Sequence, residues 1–380
     1  MTQDTVQSSE KTVARTLLLE LRTDDNSPAP VYLVGNFNNW NPNDSRFMMN
    51  QIGSGIYTIG LPVSENMSEF IEYKYTRGGW QHVEVDRFGN AVGNRSAHVQ
   101  QGKMSDWVPR WKKYGMAHNP KYLPVISVIS EQFEVPQLIK TRRIAALLPH
   151  DYYQSERRYP VLYLQDGQNL YDDYAPFGNW AVDKKMAILA EQDMGDLIVV
   201  AIDHAEEQRI AEFTPSMKTK LGRGEGKKYA RFLADTLKPY IDKHFRTLPE
   251  REHTGIGGSS MGGLITIYAG LMYPEVFSKL MVFSPSLWVS PNIHQQVMAA
   301  DEPFPIKMYL YGGEAESKYM IPSLKGFMTT IQQEDAMTNI EFHLSVDPHG
   351  KHHEARWGEE FPKAVEWLFF NQTAQKTHTR

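Results

Sequence analysis

Residues 251–271 read REHTGIGGSSMGGLITIYAGL and place Ser260 at the centre of a Gly-x-Ser-x-Gly pentapeptide. The residues before the pentapeptide, 251–256, predict a short strand, and those after it, 264–271, predict a helix. A serine on the sharp turn between a strand and a helix is exposed, and the flanking glycines avoid collisions that side chains would cause. The stretch therefore predicts a nucleophilic serine in an α/β domain, although small residues can also serve close packing alone.

Strand-like and helix-like segments alternate on both sides of this turn. The predicted strands cover residues 143–148, 159–164, 197–202, 280–283 and 306–311. The predicted helices cover residues 183–191 and 229–245. Residues 197–202 (LIVVAI) form an uninterrupted apolar run, which is typical of a strand buried on both faces of a parallel sheet. The alternation predicts a doubly wound α/β sheet whose ligands bind at the carboxyl ends of the strands.

The first hundred residues have a different pattern. Short alternating strands are predicted at residues 31–34, 56–61 and 70–75, and turn-rich runs separate them. Their spacing predicts an all-β sandwich. The predicted organisation is a flexible end at 1–16, the sandwich at 17–108, a linker at 109–125, the α/β domain at 126–371 and a flexible tail at 372–380.

The composition excludes several classes of function. The 380 residues carry a net charge of -5, which disfavours nucleic acid or an anionic membrane as the main partner. The chain has no cysteine, which rules out disulfides, thiolate metal sites and a cysteine nucleophile. The first residues lack the charged-then-apolar order of a signal peptide, and no apolar stretch approaches the length of a membrane span. We therefore expect a soluble, cytoplasmic protein.

A serine hydroxyl is a weak nucleophile at neutral pH and needs a base, usually a histidine that a carboxylate orients. In α/β-hydrolases both partners follow the serine, with the acid first. The histidines after Ser260 are His294, His343, His349, His352, His353 and His378. We favour His352, because residues 347–354 form a loop between a strand-like and a helix-like run, and His353 and His349 are the alternatives. Close histidines can also bind metal, but this spacing is not a zinc pattern, so we expect no metal and no other cofactor.

The acid is expected in the loop that follows the strand at 306–311. Glu314 and Glu316 both lie there, and we favour Glu316, although a glutamate in a loop is often only a surface carboxylate. Acyl transfer also requires amide donors that stabilise the developing oxyanion. The backbone amides of Met261, directly after the nucleophile, and of Gln168, after the strand at 159–164, are the expected donors.

Three blocks of sequence resemble one known family. Residues 159–171 (YPVLYLQDGQNLY), 257–264 (GGSSMGGL) and 350–357 (GKHHEARW) are similar to the signature blocks of the esterase family that includes esterase D, feruloyl esterases and enterochelin (ferric enterobactin) esterases. In that family the catalytic histidine shortly precedes a tryptophan, as His352 precedes Trp357. The resemblance implies an α/β-hydrolase fold over residues 126–371 and a serine carboxylic-ester hydrolase. Its implied partner is a small-molecule ester, either a siderophore or a saccharide ester.

The first domain resembles starch-binding modules, which have an immunoglobulin-like sandwich. The similar stretches are residues 31–40 and 72–80. Such modules stack sugar rings on exposed aromatic side chains, so the resemblance implies Trp40, Lys74 and Trp80 as glycan-binding candidates. Trp40 could instead belong to the core of the domain, and the domain could simply shape the cleft of the esterase.

Other residues are placed near the predicted cleft by their position after strands. The candidates for substrate binding are Asp166, Gly167, Arg209, Trp180 and Trp288, and Tyr319 is placed there on the same grounds. Asp166 and Gly167 are also a plain turn signal, and Arg209 could instead tether a loop through a salt bridge. Two other functions stay open: a glycan-binding protein with a vestigial hydrolase domain, and a transferase that passes the acyl group to a sugar.

Overall fold

The computed structural model describes residues 15–64, 67–175, 177–293, 304–333 and 339–370. The chain divides into two compact units, Met1–His118 and Asn119–Arg380. Most of the two predicted flexible ends, together with His294 and His378, lies outside the described residues.

The first unit consists of strands joined by turns. The strands are β1 Thr16–Thr23, β2 Tyr32–Gly35, β3 Asn50–Gly53, β4 Ile56–Pro62, β5 Phe70–Thr76, β6 Glu84–Val85, β7 Arg95–His98, β8 Lys103–Val108 and β9 Arg110–Trp111. They form a four-stranded sheet in the order β3-β4-β1-β8, a three-stranded sheet in the order β2-β5-β7, and the pair β6-β9. Strands β1 and β8 run parallel, and the other neighbours are antiparallel.

Alternating side chains of the two larger sheets form one apolar core. Leu17, Leu19 and Leu21 of β1 are buried, while the residues between them point outward. Leu33 and Tyr73, from the other sheet, belong to the same core. This period of two is the pattern of strands with one buried face. Trp111 is also buried in this core. The first unit therefore includes part of residues 109–125, for which the sequence predicted a linker.

The second unit is built on an eight-stranded sheet in the order β10-β11-β13-β12-β14-β15-β16-β17. Its strands are β10 Val125–Val135, β11 Lys140–Leu148, β12 Val161–Gln165, β13 Ile198–Ile202, β14 Thr254–Ser259, β15 Lys279–Phe283, β16 Ile306–Gly313 and β17 Ile340–Asp347. Strands β10, β11 and β13 are antiparallel neighbours, and all pairs from β13 to β17 are parallel. The parallel part has the predicted doubly wound arrangement, and the antiparallel edge was not predicted.

Helices lie between the parallel strands and after the last of them. They are α1 Val182–Ala190, α2 Arg209–Phe213, α3 Gly226–Phe232, α4 Lys238–His244, α5 Met261–Met272, α6 Met320–Gln333 and α7 Glu354–Val365. The single helix predicted at 229–245 is divided by a π-helical turn, Leu233–Leu237. Pro239 follows that turn, and its missing N–H and its ring disturb the regular helical hydrogen bonds. Within the described ranges, none of the helices combines the length and apolar character that a membrane crossing needs.

The order of the strands fixes the position of the site. The chain passes from β12 to β13 on one side and then returns to β14 on the other side of β12. This reversal leaves a crevice beyond the carboxyl end of β12, which is where open α/β sheets bind ligands. The loops after β12, β13 and β14 therefore meet at one edge of the sheet.

Candidate active site

Ser260 lies between β14 and α5, as the sequence predicted. Its backbone angles are φ 57° and ψ -118°, an uncommon conformation for a residue with a side chain. The Ser260 amide donates to the Phe283 carbonyl at 2.9 Å, and its carbonyl accepts from the Ser286 amide at 3.0 Å. These bonds to the end of β15 and to the loop after it hold the turn in its strained conformation, and such strain is common at functional positions.

Glycines around Ser260 allow this turn to pack. A Cβ at Gly258 would lie 2.9 Å from the Gly262 backbone, and a Cβ at Gly262 would lie 2.9 Å from Asp166 Oδ2. Both distances are shorter than ordinary van der Waals contacts. The two glycines of the pentapeptide are therefore required by the close approach of three segments.

His352 and Glu316 form a direct hydrogen bond. His352 precedes α7, Glu316 follows β16, and the distance from His352 Nδ1 to Glu316 Oε2 is 2.7 Å. The Glu316 side chain is 2% exposed. Its Oε1 accepts from the Gly313 amide at 2.7 Å and from Ser284 Oγ at 2.6 Å. A buried carboxylate is tolerated when such donors compensate its lost hydration.

A second layer of side chains supports Glu316. Trp357 Nε1 donates to Ser284 Oγ at 3.0 Å, and Ser284 in turn donates to Glu316. The Trp357 ring also meets His352 edge-on, with 4.9 Å between ring centroids. Ser284 is fully buried and has a positive φ of 44°. The sequence marked Trp357 through its spacing to His352 but gave no sign of Ser284.

The alternative residues have other surroundings. Glu314 is exposed, and so is His349. His353 Nδ1 accepts a hydrogen bond from the Ala355 amide at 3.1 Å, so this ring caps the start of α7. His343 stacks on Tyr309 within the sheet, with 4.7 Å between ring centroids. Among the described histidines that follow Ser260, only His352 contacts Glu316.

Ser260 and His352 line the same cleft, whose volume is about 680 Å³. The other residues that line it are Asp166, Gln168, Asn169, Phe177, His204, Glu206, Glu207, Arg209, Ile210, Ser259, Glu354 and Trp357. Ser260 Oγ is 3.4 Å from Ser286 Oγ, which lies in the loop after β15. The cleft therefore combines a serine, a histidine held by a carboxylate, and a partly apolar wall.

The two predicted oxyanion donors stand at the starts of helical segments. Met261 is the first residue of α5, and Gln168 is in the 3-10 turn Gly167–Asn169. Amides in the first turn of a helix have no acceptor within the helix and so can bind an anion. The side chain of Gln168 accepts from the His204 amide and donates to the His204 carbonyl, both at 3.0 Å. These bonds hold the Gln168 loop against the loop after β13.

Asp166 and Arg209 form a two-pronged ion pair at the edge of the cleft. Arg209 Nε lies 2.5 Å from Asp166 Oδ1, and Arg209 Nη2 lies 2.8 Å from Oδ2. Burial acts to lower the pKa of Arg209, but the hydrogen bonds and charge of Asp166 outweigh it and raise that pKa. This two-pronged geometry matches the tethering role that the sequence left open for Arg209. The residue that it holds, Asp166, has a positive φ of 58°.

The aromatic candidates lie outside the lining of this cleft. Trp180 is 3% exposed and stacks on Phe283 with 5.4 Å between ring centroids, so it belongs to the core beneath the site. Trp288 and Tyr319 are exposed, but neither is among the described residues that line the cleft. Phe177 and Trp357 do line it, and of these two rings the sequence did not single out Phe177.

The glycan-binding candidates belong to the first unit. Trp40 is partly exposed and Trp80 is 45% exposed, and their ring centroids are 6.5 Å apart. Lys74 Nζ donates to the Val92 carbonyl and, at 3.1 Å, to the Gly93 carbonyl. Burial lowers the pKa of Lys74. The two rings are thus available to a ligand, whereas the lysine is engaged in holding a loop.

Within the described ranges, no group of three or more histidine, cysteine, aspartate or glutamate side chains is arranged to hold a metal ion.

Comparison with known proteins identifies the class. The family model described as "Putative esterase" matches residues 136–368. The chain belongs to this esterase family and is a carboxylic-ester hydrolase of the serine type.

Individual relatives are similar to different extents of the chain. The uncharacterized protein YbbA of Bacillus subtilis is 24% identical over 241 residues, which are 60% of this chain and 92% of YbbA. An amylopullulanase of Thermoanaerobacter thermohydrosulfuricus is 34% identical over 113 residues, which are 28% of this chain but only 7% of that enzyme. The enterochelin esterase of Shigella flexneri shares the fold, with a TM-score of 0.51 and 14% identity over 93% of this chain and 92% of its own.

Proposed function

We propose that this chain hydrolyses a small-molecule carboxylic ester with Ser260 as nucleophile, His352 as base and Glu316 as the group that orients His352. The observation that carries the proposal is the 2.7 Å hydrogen bond between His352 and Glu316 in a cleft that Ser260 also lines. A serine, a histidine and a carboxylate in these relations can support nucleophilic acyl transfer.

The reaction would proceed in two halves. Ser260 Oγ attacks the acyl carbon while His352 Nε2 takes the hydroxyl proton. The backbone amides of Met261 and Gln168 stabilise the oxyanion, and one such donor is worth about 3–4 kcal/mol. His352 then returns the proton to the departing alcohol, which leaves an acyl group on Ser260. In the second half, water attacks the acyl-enzyme while His352 takes its proton, and His352 then gives that proton to Ser260 Oγ as the acid departs.

Glu316 would act on this reaction through His352. With Nδ1 of His352 donating to the carboxylate, Nε2 is the nitrogen that remains unprotonated and can accept the proton of Ser260. The negative charge also stabilises the imidazolium that forms. The donors from Gly313 and Ser284 hold the carboxylate in place, which preserves the tautomer that catalysis requires.

Three variants and two matched controls test the assignment. We expect Ser260→Ala, His352→Gln and Glu316→Gln each to lower kcat by about a thousandfold or more, with circular dichroism unchanged. His349→Gln and Glu314→Gln alter exposed residues of the same two loops and should retain activity. Full turnover by the Ser260→Ala protein would refute the nucleophile, and loss of activity in Glu314→Gln but not Glu316→Gln would transfer the acid role to Glu314.

Within this class, we propose an enterochelin-type siderophore ester as the first substrate to test. The support is the fold shared with enterochelin esterase over most of both chains. An acyl ester on a saccharide is the second candidate, since a stretch of 113 residues is 34% identical to part of an amylopullulanase. Hydrolysis rates on a panel of siderophore, feruloyl and simple acyl esters would rank them. Adding a sugar alcohol and analysing the products would show whether the acyl group passes to the sugar or to water.

We also propose that the first unit is an immunoglobulin-like sandwich that binds glycan through Trp40 and Trp80. The support is the 6.5 Å separation and partial exposure of the two rings. Trp80→Ala should abolish retention of the full chain in an affinity gel containing soluble starch. Trp107→Ala removes another exposed tryptophan of this unit and should leave retention intact. Equal retention of both variants would rule out this pair of rings as the binding platform.

A further inference from the structure

A second cavity of about 470 Å³ adjoins the catalytic cleft. It is lined by Lys140, Thr141, Arg142, Arg143, Gln168, Asp203, His204, Ala205, Glu206 and Gln208. Gln168, His204 and Glu206 line both cavities. An ester whose carbonyl carbon lies at Ser260 could therefore extend one of its two halves past Gln168 into this second space.

Two of the cationic side chains of this cavity are neutralised from within the protein. Lys140 Nζ lies 3.0 Å from Glu212 and 3.7 Å from Glu225, and the Arg142 guanidinium lies 2.9 Å from the Glu212 carboxylate. Glu212 and Arg142 are both buried. Arg143 Nε lies 3.3 Å from Glu131, and the carboxylates of Asp203 and Glu206 also line the cavity, so no net positive charge remains to attract an anionic ligand.

Asp203 is a carboxylate without a hydrogen-bond donor among the described residues. Its side chain is 14% exposed, and the nearest guanidinium nitrogen, Arg143 Nη1, is 3.9 Å away, beyond hydrogen-bond distance. Its Oδ1 is buried and has no hydrogen-bond partner. Burial raises the pKa of Asp203 to about 6, although Arg143 acts in the opposite direction. Largely buried polar groups normally have partners, so an unpartnered carboxylate at the wall of a cavity requires an explanation.

Asp203 connects this cavity with the turn Gly167–Asn169 at the catalytic cleft. A Cβ at Gly167 would lie 2.4 Å from Asp203 Oδ1, so the carboxylate packs directly against the turn that presents the Gln168 amide. A ligand group bound to Asp203 would therefore stand close to the predicted oxyanion donor.

We propose that the second cavity is a subsite for the alcohol half of the ester and that it takes a neutral group with neighbouring hydroxyls, such as a sugar. One hydroxyl donates to the Asp203 carboxylate through Oδ2, because Oδ1 is buried against the Gly167 turn, and Arg143 donates to the oxygen of the next hydroxyl. Hydroxyls suit this site because each can donate to an anion and accept from a cation. The inference rests on the proposed ester hydrolysis at Ser260.

The contrast between the two cavities assigns the two halves of the substrate. Phe177, Ile210 and Trp357 give the catalytic cleft an apolar wall, which suits an acyl group. Ala205 is the one apolar side chain among the described residues of the second cavity. The more hydrophilic half of an ester is therefore favoured there.

Two substrates with one acyl group test the subsite. The methyl ester and the glucose 6-ester of the same acid are compared, the acid being the one hydrolysed fastest in the ester panel. In Asp203→Asn and in Arg143→Gln, kcat/KM for the glucose ester should fall at least about tenfold more than kcat/KM for the methyl ester. The matched controls Asp235→Asn and Arg231→Gln alter an exposed ion pair that lines neither cavity and should leave that ratio unchanged.

The outcomes separate this inference from the proposed function. Equal losses on both esters, or no loss on either, would overturn the subsite while hydrolysis of the methyl ester upheld the catalytic assignment. No hydrolysis of any ester by the wild-type protein would instead refute the proposed function. If Asp203→Asn fails to fold, the more exposed Arg143→Gln still decides, together with competitive inhibition of the wild-type protein by free glucose.

Discussion

Replacing Asp203 by asparagine should stabilise the second unit at neutral pH and have little effect on its stability near pH 4. Burial holds the pKa of Asp203 in the folded protein at about 6, above the ordinary aspartate value of 3.8. Between these two values the folded protein binds more protons than the unfolded chain, so the free energy of unfolding decreases as the pH rises. Above about pH 6 the full penalty of an ionised, poorly solvated carboxylate is present, and asparagine lacks it.

The magnitude follows from the difference between the two pKa values. A change from 3.8 to about 6 corresponds to about 3 kcal/mol. The side chain is 14% exposed, and solvent that reaches it reduces this figure, so we expect about 1–2 kcal/mol. For a unit of this size, each kcal/mol raises Tm by about 2–4 °C. The variant should thus melt about 2–8 °C above the wild-type protein at about pH 7.5.

Calorimetry of the full chain at about pH 4 and about pH 7.5 provides the assay, with Asp235→Asn as control. Asp235 is half exposed on a helix and paired with Arg231, so its replacement should change Tm little at either pH. A wild-type Tm that exceeds that of Asp203→Asn at about pH 7.5 would contradict the reasoning. It would mean that Arg143 stabilises the ionised carboxylate by more than burial destabilises it.

Four further substitutions probe the catalytic cleft. Ser284→Ala removes the hydrogen bond that Ser284 donates to the buried carboxylate of Glu316, and such a bond contributes about 1.5–3 kcal/mol. We therefore expect kcat to fall about tenfold or more while KM changes little. An unchanged kcat would show that Ser284 does not hold Glu316 in place. Asp166→Asn and Arg209→Gln should each lower kcat, because loss of the ion pair displaces the turn that carries the Gln168 amide. In a double-mutant cycle the two effects should be strongly non-additive, and simple additivity would show that the two residues are not functionally coupled. Gly262→Ala places a Cβ 2.9 Å from Asp166 Oδ2 and should lower kcat sharply. In the control Gly326→Ala the new Cβ meets nothing within 4 Å, so activity should be retained and Tm should rise slightly. Equal activity of the two variants would refute the packing argument.

The parts of the fold that could be predicted from sequence are those determined by local patterns. The turn at Ser260 is encoded by adjacent residues, and the buried parallel strands by uninterrupted apolar runs such as residues 197–202. His352 and Glu316 were reachable because parallel strands deliver their following loops to one edge of the sheet, which leaves few candidates. The 2.7 Å bond between them agrees with that expectation.

The missed features depend on contacts between distant segments. Ser284 meets Glu316 across 32 positions of sequence, and no local pattern distinguishes it from other serines after a strand. Strand β10 has mixed, largely exposed side chains because it is an edge strand, so it lacks a strong periodic pattern. Trp180 was expected near the substrate, but its large ring stacks on Phe283 in the core, a choice that only three-dimensional packing determines.

The identity of the nucleophile is tested most directly by mass spectrometry of the protein after reaction with a fluorophosphonate. The account predicts one adduct per chain, located on Ser260 by peptide mapping, and no adduct on Ser260→Ala protein that retains its circular dichroism spectrum. An adduct on Ser286, whose Oγ is 3.4 Å from that of Ser260, or an unmodified but folded wild-type protein, would contradict it.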